Sequence, residues 1–269
     1  AQAVLPELSE NADEPKKFKK ILNESLQQAL FLVLPIVAIL LVLRLPTVRL
    51  IFGVGKFDWQ ATLLTAWCLA LLSIAIVGQT LTQIVLRGFY ALKSTWLPLI
   101  AVGIGIMVNI AFAFLLTNFF SHYYDWRPIL EQIGVQISTA NGNGLWSVVQ
   151  SFFKDVFVWC TTRGTSGMAV GGLSLSLSIS SFVELALLLY ILNKKIKVVS
   201  FKQTIKPMLI KLLNTALTAF GMYLVFRLFD FKLDTTRTIS IIILTIATSS
   251  YGLLSYWLGS KVFEIKEIE

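Results

Sequence analysis

The chain has 269 residues, of which 56% are hydrophobic and 14% are charged, with a formal net charge of +8. A soluble domain has about 25% charged residues, and here the apolar residues form long blocks, which excludes an ordinary soluble domain. Barrel strands that span a membrane alternate apolar and polar residues in segments of about ten, and the sequence lacks this alternation. The predicted fold class is therefore all-α, a polytopic helical membrane protein. In such a protein the positive charge reports topology, and we predict no binding to nucleic acid.

Six apolar blocks are long enough to cross a bilayer core of about 30 Å as helices. We place the transmembrane helices at residues 24–43, 61–86, 97–116, 167–192, 207–226 and 238–258. Residues 1–119 then hold a polar N-terminal segment and three spans, residues 166–260 hold the other three, and residues 261–269 form a cytoplasmic tail. We interpret residues 1–8 as the end of an earlier helix and expect the chain to be a fragment of a longer protein or a processed one.

The long polar connection at residues 120–165 separates the two groups of spans. Within it we expect an interfacial helix at residues 145–160, because this stretch is too short to span and carries Lys154 and Asp155 at its centre. One histidine, His122, and scattered acids are weak evidence for a metal site. We therefore predict neither a metal nor a cofactor.

Lysine and arginine are unevenly distributed between the two sides of the predicted membrane. With the N-terminus inside, the cytoplasmic segments hold 14 of the 23 Lys and Arg residues, and the dense stretches 16–20 and 194–211 decide the orientation. The positive-inside rule then places both ends of the chain in the cytoplasm and residues 120–165 outside. We interpret the stretch 16–20 as a solvated loop, with a lipid-headgroup site as the alternative.

Polar residues lie at the end of the second span and in the turn that follows it. Gln79 and Gln83 are four residues apart, hence on one helical face, and Arg87 and Lys93 follow them. The two amides contact either a polar headgroup or other helices. The two cations either pair with a diphosphate, which favours fixed cations, or only set topology.

Glu184 and Asn109 are polar residues inside predicted spans. A carboxyl group within a span is costly, so Glu184 is a candidate for proton binding or for contact with a cationic partner. The alternative is a structural hydrogen bond, or a side chain that extends toward the inner face. Asn109 either lines a cavity or joins two helices by a hydrogen bond.

Several short motifs, in order, resemble the MurJ/MviN family, the lipid II flippases of bacterial cell-wall synthesis. The resemblance covers most of the chain outside residues 120–165, and its motifs are Leu5-Pro6-Glu7-Leu8-Ser9, Gly55-Lys56-Phe57-Asp58, Arg87-Gly88-Phe89-Tyr90-Ala91-Leu92 followed by Thr95 and Pro98, and Gly172-Leu173-Ser174-Leu175-Ser176. The sequence departs from the family at Ser94-Thr95-Trp96, where the family turn usually carries an acid and a base. Some members hold sodium between an asparagine and an acid four residues on, and here Ala113 follows Asn109, so the resemblance predicts no sodium site.

The resemblance implies a two-lobe exporter fold of the multidrug/oligosaccharidyl-lipid/polysaccharide exporter superfamily, of which this chain is the C-terminal half. It implies a flippase of the bacterial inner membrane, not an enzyme, that moves a lipid II-like, undecaprenyl-diphosphate-linked saccharide by alternating access. The other expected partners are membrane lipids and the remaining N-terminal half of the same protein. Two alternatives stay open: a polysaccharide-unit or drug exporter of this superfamily, or a non-transporting membrane scaffold.

Overall fold

The computed structural model describes residues 4–53, 57–123, 144–196, 204–232, 238–265 and 267. Within these residues it is helical, with one 3₁₀ turn at Gly167–Ala169. The helices are α1 Val4–Glu10, α2 Pro15–Val42, α3 Arg44–Phe52, α4 Trp59–Ala91, α5 Trp96–Ser121, α6 Gly144–Thr161, α7 Val170–Ile196, α8 Lys206–Lys232 and α9 Thr238–Val262.

Six of the helices are long and apolar enough to cross a membrane: α2, α4, α5, α7 with its 3₁₀ turn, α8 and α9. Their most apolar windows have mean hydropathies between 1.6 and 2.6. The prediction of an all-α, multi-pass membrane protein is confirmed. Each helix is longer than the span predicted for it, since α4 alone has 33 residues. Residues with high helix propensity continue each helix past its apolar block, whereas the predicted spans ended at the last residues of those blocks.

Three predictions about connections need correction. Arg87 lies in the last two turns of α4, not in a turn between helices, because α4 continues to Ala91. Residues 16–20 lie in the first turns of α2, which begins at Pro15, where we expected a solvated loop. Lys211, which we counted with a basic loop, lies in α8 and is buried.

Some predictions fall outside the described residues. They include the motif residues Gly55 and Lys56, residues 124–143 of the long connection, residues 197–203 of the basic stretch and part of the tail at 261–269. The helix predicted at residues 145–160 is present as α6. It packs on the end of α5, where the Asn118 side-chain amide donates to the Cys160 carbonyl at 3.1 Å. Its interfacial position stays a prediction.

The centre of the bundle is α7, which packs against both α4 and α5. Small residues allow this close approach: a Cβ on Gly78 of α4 would lie 2.6 Å from Ser181 Oγ of α7. The Ser178 hydroxyl donates to the Leu71 carbonyl of α4 at 2.6 Å. The helix α2 contributes apolar side chains such as Leu22 and Leu26 to a core shared with α4 and α7. Small residues and interhelical hydrogen bonds are the usual means of packing helices in a membrane, where lipid is as apolar as leucine.

The two last helices, α8 and α9, form a pair that packs on α2. Asn214 of α8 donates its side-chain amide to the Tyr256 carbonyl at 3.1 Å and to Ser260 Oγ at 3.0 Å, both on α9. Gly252 of α9 faces the thioether of Met222, where a Cβ would lie 2.5 Å from the sulfur. The pair is thus joined by polar bonds at one end and close packing toward the other.

We predict that Gly78→Ala destabilises the protein, because the added methyl group would overlap Ser181 and its backbone carbon, which lies 3.2 Å from the Cβ position. Overpacking of this kind costs about 1–3 kcal/mol. The measurement is thermal unfolding of the full-length protein in detergent. Gly103→Ala in α5 is the matched control, since its Cβ would meet nothing within 4 Å. Equal melting temperatures for the two variants would contradict the predicted contact.

Candidate functional site

A polar cavity of about 470 Å³ lies between α4 and α7. Gln79, Thr80, Thr82 and Gln83 line it from α4, and Ser181 and Glu184 line it from α7. The structure therefore brings together three of the residues selected from the sequence, Gln79, Gln83 and Glu184. Both glutamines are exposed, and since they are four residues apart they present their amides from one face of α4.

Glu184 lies where three helices meet. Its side chain packs against Gly105 of α5, where a Cβ would lie 3.3 Å from Glu184 Oε2 and 3.4 Å from Glu184 Cβ. The absence of a side chain at Gly105 thus leaves the space that the Glu184 side chain occupies beside α5. Among the described residues, none donates a hydrogen bond to Glu184 or forms an ion pair with it. The structural hydrogen bond that was the alternative interpretation of Glu184 is therefore missing from this part of the chain.

The wall of the cavity also contains a hydroxyl group without a partner. Thr82 is 5% exposed, and its Oγ1 makes no hydrogen bond within the described residues. A neighbouring threonine behaves differently, since the Thr80 hydroxyl donates to the Ile76 carbonyl at 2.7 Å. A buried polar atom that lacks a partner costs about 1–3 kcal/mol. Thr82 Oγ1 and the Glu184 carboxyl group are therefore available to a molecule that enters the cavity.

The cations Arg87 and Lys93 do not line this cavity. Arg87 follows Gln83 by four residues on α4, so it lies about 6 Å further along the same face. Lys93 is exposed in the turn after α4 and has a φ of 53°, in the left-handed region. The Lys93 amide donates to the Tyr90 carbonyl and the Ser94 amide to the Phe89 carbonyl, both at 3.0 Å. These bonds form a Schellman motif, in which Lys93 takes the position usually held by glycine.

Asn109 is separate from the cavity. Its Oδ1 accepts a hydrogen bond of 2.9 Å from the Ser176 hydroxyl of α7. Ser176 precedes Glu184 by eight residues, which is about 12 Å along the helix. This geometry fits the interpretation that Asn109 joins two helices by a hydrogen bond.

Sequence reasoning missed Ser181, which lines this cavity, and Gly105, which packs against Glu184. A signal for Ser181 is present in the sequence, because it precedes Glu184 by three residues and so shares its face. Nothing in the sequence indicates that Gly105 lies beside Glu184, since that contact depends on how α5 and α7 align.

The comparisons with known proteins agree on one family. A family model described as "Lipid II flippase MurJ" matches residues 1–124. A probable lipid II flippase MurJ of Rhizobium meliloti (strain 1021) is 34% identical over 121 residues, which are 43% of this chain and 22% of that protein. A probable lipid II flippase MurJ of Rhizobium tropici is 28% identical over 62% of this chain and 31% of its own length. The lipid II flippase MurJ of Thermosipho africanus (strain TCF52B) is 29% identical over 38% of this chain and 22% of its own.

A solved structure titled "Lipid II flippase MurJ, inward closed conformation" has a similar fold. The TM-score is 0.61 at 21% sequence identity, and the match covers 97% of this chain and 42% of the solved one. The structural similarity therefore extends beyond the region that the family model matches. The chain spans 42% of the solved protein and between 22% and 31% of these curated relatives.

For the turn after α4 we predict that Lys93→Gly preserves or raises stability. Glycine adopts a positive φ without steric cost, whereas a side chain there costs about 1 kcal/mol. Lys93→Val is expected to lower the melting temperature, because a β-branched residue is especially strained at positive φ. The measurement is thermal unfolding in detergent. A lower melting temperature for Lys93→Gly than for the unchanged protein would show that the lysine side chain itself stabilises the turn.

Proposed function

We propose that the protein containing this chain, whose residues 1–124 match a family model described as "Lipid II flippase MurJ", is a flippase for a lipid-linked cell-wall precursor of the lipid II type. The activity would reside in the bacterial inner membrane. The observation that supports this most directly is the polar cavity between α4 and α7, which holds a carboxyl group and a hydroxyl group that have no partner in the described residues. No bond is made or broken in such transport, so the protein would act as a transporter and not as an enzyme.

The cavity has the chemistry that a saccharide headgroup needs. Sugar hydroxyls and amides both donate and accept hydrogen bonds, and the side-chain amides of Gln79 and Gln83 do the same. Thr82 and Ser181 add hydroxyl groups to the wall, and Glu184 adds a carboxyl group. A headgroup that leaves water for the membrane would exchange its hydrogen bonds with water for bonds with these groups.

The Arg87 guanidinium group would bind the diphosphate group of the precursor. It lies one turn beyond Gln83 on the same helical face and has no hydrogen-bond or ion-pair partner in the described part of the chain. Guanidinium groups suit phosphate oxygens because their donors form a planar fork. A precursor with its saccharide at Gln79 and Gln83 would then place its diphosphate toward the end of α4.

Transport would proceed by alternating access between two halves. The exposed glutamines face away from the packed core of this chain, so the remaining half of the full-length protein would close the cavity from that side. The isoprenoid tail would stay in the lipid, along the apolar exposed surface of α9. The positive-inside count favours both ends of the chain in the cytoplasm.

The test is complementation by the full-length protein in a bacterium depleted of its own lipid II flippase, with exposure of lipid II on the outer face as the measurement. We expect Glu184→Gln to reduce exposure at least about tenfold, on the premise that the carboxylate contributes a charge-assisted contact worth more than about 1.4 kcal/mol during transport. Gln79→Ala combined with Gln83→Ala should weaken exposure as well, at unchanged amounts of protein in the membrane.

Asp155→Asn in α6 is the matched control, because it makes the same change of charge outside the six spans. It is expected to retain full activity. If the unchanged protein is inserted but exposes no lipid II, the proposed cargo is wrong. If Glu184→Gln and Asp155→Asn behave alike, the cavity is not part of the transport path.

A further inference from the structure

A second and larger cavity, of about 780 Å³, lies at the end of the bundle where α2 and α8 begin and α9 ends. Five lysines and three glutamates are among its lining residues, which gives these side chains a formal charge of +2. They are Lys16, Lys19, Lys20, Lys206, Lys211, Glu24, Glu264 and Glu267. This cavity is separate from the one between α4 and α7, since the two share no lining residue.

The innermost lysine is already neutralised within the chain. Lys211 is 1% exposed, and its Nζ donates to Glu267 Oε1 at 2.8 Å, to Gln27 Oε1 at 2.8 Å and to the Gln27 carbonyl at 3.0 Å. All three donors of the ammonium group are therefore used. Lys211 and Glu267 form the closed floor of the cavity and fasten α8 to α2.

The lysines at the rim are in the opposite situation. Lys16, Lys19 and Lys206 have no hydrogen-bond or ion-pair partner among the described residues. Lys20 reaches Glu24 at 3.9 Å, a long contact between two exposed side chains. In contrast, Lys17 on the same turn does not line the cavity and pairs with Glu14 at 2.9 Å. Three of the four lysines at the rim are thus left without a counter-ion among the described residues.

An apolar surface continues from this rim into the membrane. Residues 206, 209, 213, 217 and 220 fall on one face of α8 by their spacing. Leu209, Leu213, Leu217 and Phe220 are all more than half exposed, at 54%, 53%, 55% and 63%. This exposed apolar face therefore begins at Lys206, which has no partner among the described residues, and extends along a membrane span. A phospholipid has the same arrangement, an anionic phosphate at the end of apolar chains.

We propose that this cavity is a binding site for the phosphate headgroup of an anionic phospholipid. The phosphate contacts Lys16, Lys19 and Lys206, and the acyl chains lie on the exposed apolar face of α8. Basic pockets between transmembrane helices bind such headgroups, since each lysine near the membrane surface adds about 1 kcal/mol of attraction. The proposal concerns a resident membrane lipid and does not depend on which cargo the protein transports.

The test uses the full-length protein in detergent after removal of its lipids, with native mass spectrometry to count bound phosphatidylglycerol and phosphatidylcholine of identical acyl chains. The variant combines Lys16→Gln, Lys19→Gln and Lys206→Gln. The matched control combines Lys17→Gln, Lys232→Gln and Lys261→Gln, which removes the same charge from lysines that do not line the cavity.

We expect the unchanged protein and the control to retain phosphatidylglycerol in preference to phosphatidylcholine, and the cavity variant to bind it at least about tenfold more weakly. Equal weakening in both triple variants would overturn the proposal, because net charge would then account for the binding. No preference for phosphatidylglycerol in the unchanged protein would overturn it as well.

A second arm separates a lipid from a free anion. Inorganic phosphate and diphosphate are added to the lipid-free protein, and thermal unfolding is recorded. Stabilisation by these anions without retention of phosphatidylglycerol would overturn the lipid assignment. If the cavity variant does not fold, Lys16→Gln and Lys206→Gln are tested singly against Lys17→Gln, and each is expected to weaken phosphatidylglycerol binding about threefold to fivefold.

Discussion

The contact between α4 and α7 is the constraint on which the rest of the structure depends. Gly78 and Ser181 let the two helices approach so closely that a methyl group on Gly78 would overlap the serine. In lipid, helices gain little from burying apolar side chains against each other, so close contact and hydrogen bonds such as that of Ser178 with the Leu71 carbonyl must hold them. The same approach creates the polar cavity, because Ser181 and Glu184 then face the glutamines of α4.

Much of the fold could be predicted from the sequence, because an unbroken hydrophobic block of membrane-crossing length is rare outside a transmembrane helix. The ends of the helices could not be predicted, as the position of Arg87 inside α4 shows. Hydrophobicity marks the part of a helix inside the lipid, while backbone hydrogen bonds continue it into the headgroup region. Lys211 illustrates the same difficulty. A lysine near a predicted helix end resembles a solvated cation, but the Gln27 carbonyl and the Glu267 carboxylate satisfy it in the interior.

The candidate site was predictable to the extent that its residues are close in sequence or unusual for a membrane span. Glu184 stood out because a carboxyl group is costly in lipid, and the two glutamines because of their helical spacing. Gly105 and the unsatisfied Thr82 hydroxyl depend on how three helices align, which local patterns do not encode. The distinction between Asn109 and Glu184 arose in the same way. Both are polar groups within spans, but Asn109 accepts a hydrogen bond from the Ser176 hydroxyl, whereas Glu184 has no hydrogen-bond or ion-pair partner among the residues that the structure describes.

The length of α4 has a mechanical consequence. Its 33 residues extend about 50 Å, which exceeds the bilayer core of about 30 Å by several turns. Such a helix must tilt or reach beyond the hydrocarbon, and its tilt changes with the thickness of the membrane. Since α4 carries Gln79, Gln83 and Arg87, a thinner or thicker bilayer would rotate these groups relative to the membrane normal. Bilayer thickness would then set the tilt of the helix that carries them. The opening of the cavity should therefore depend on the acyl-chain length of the surrounding lipids.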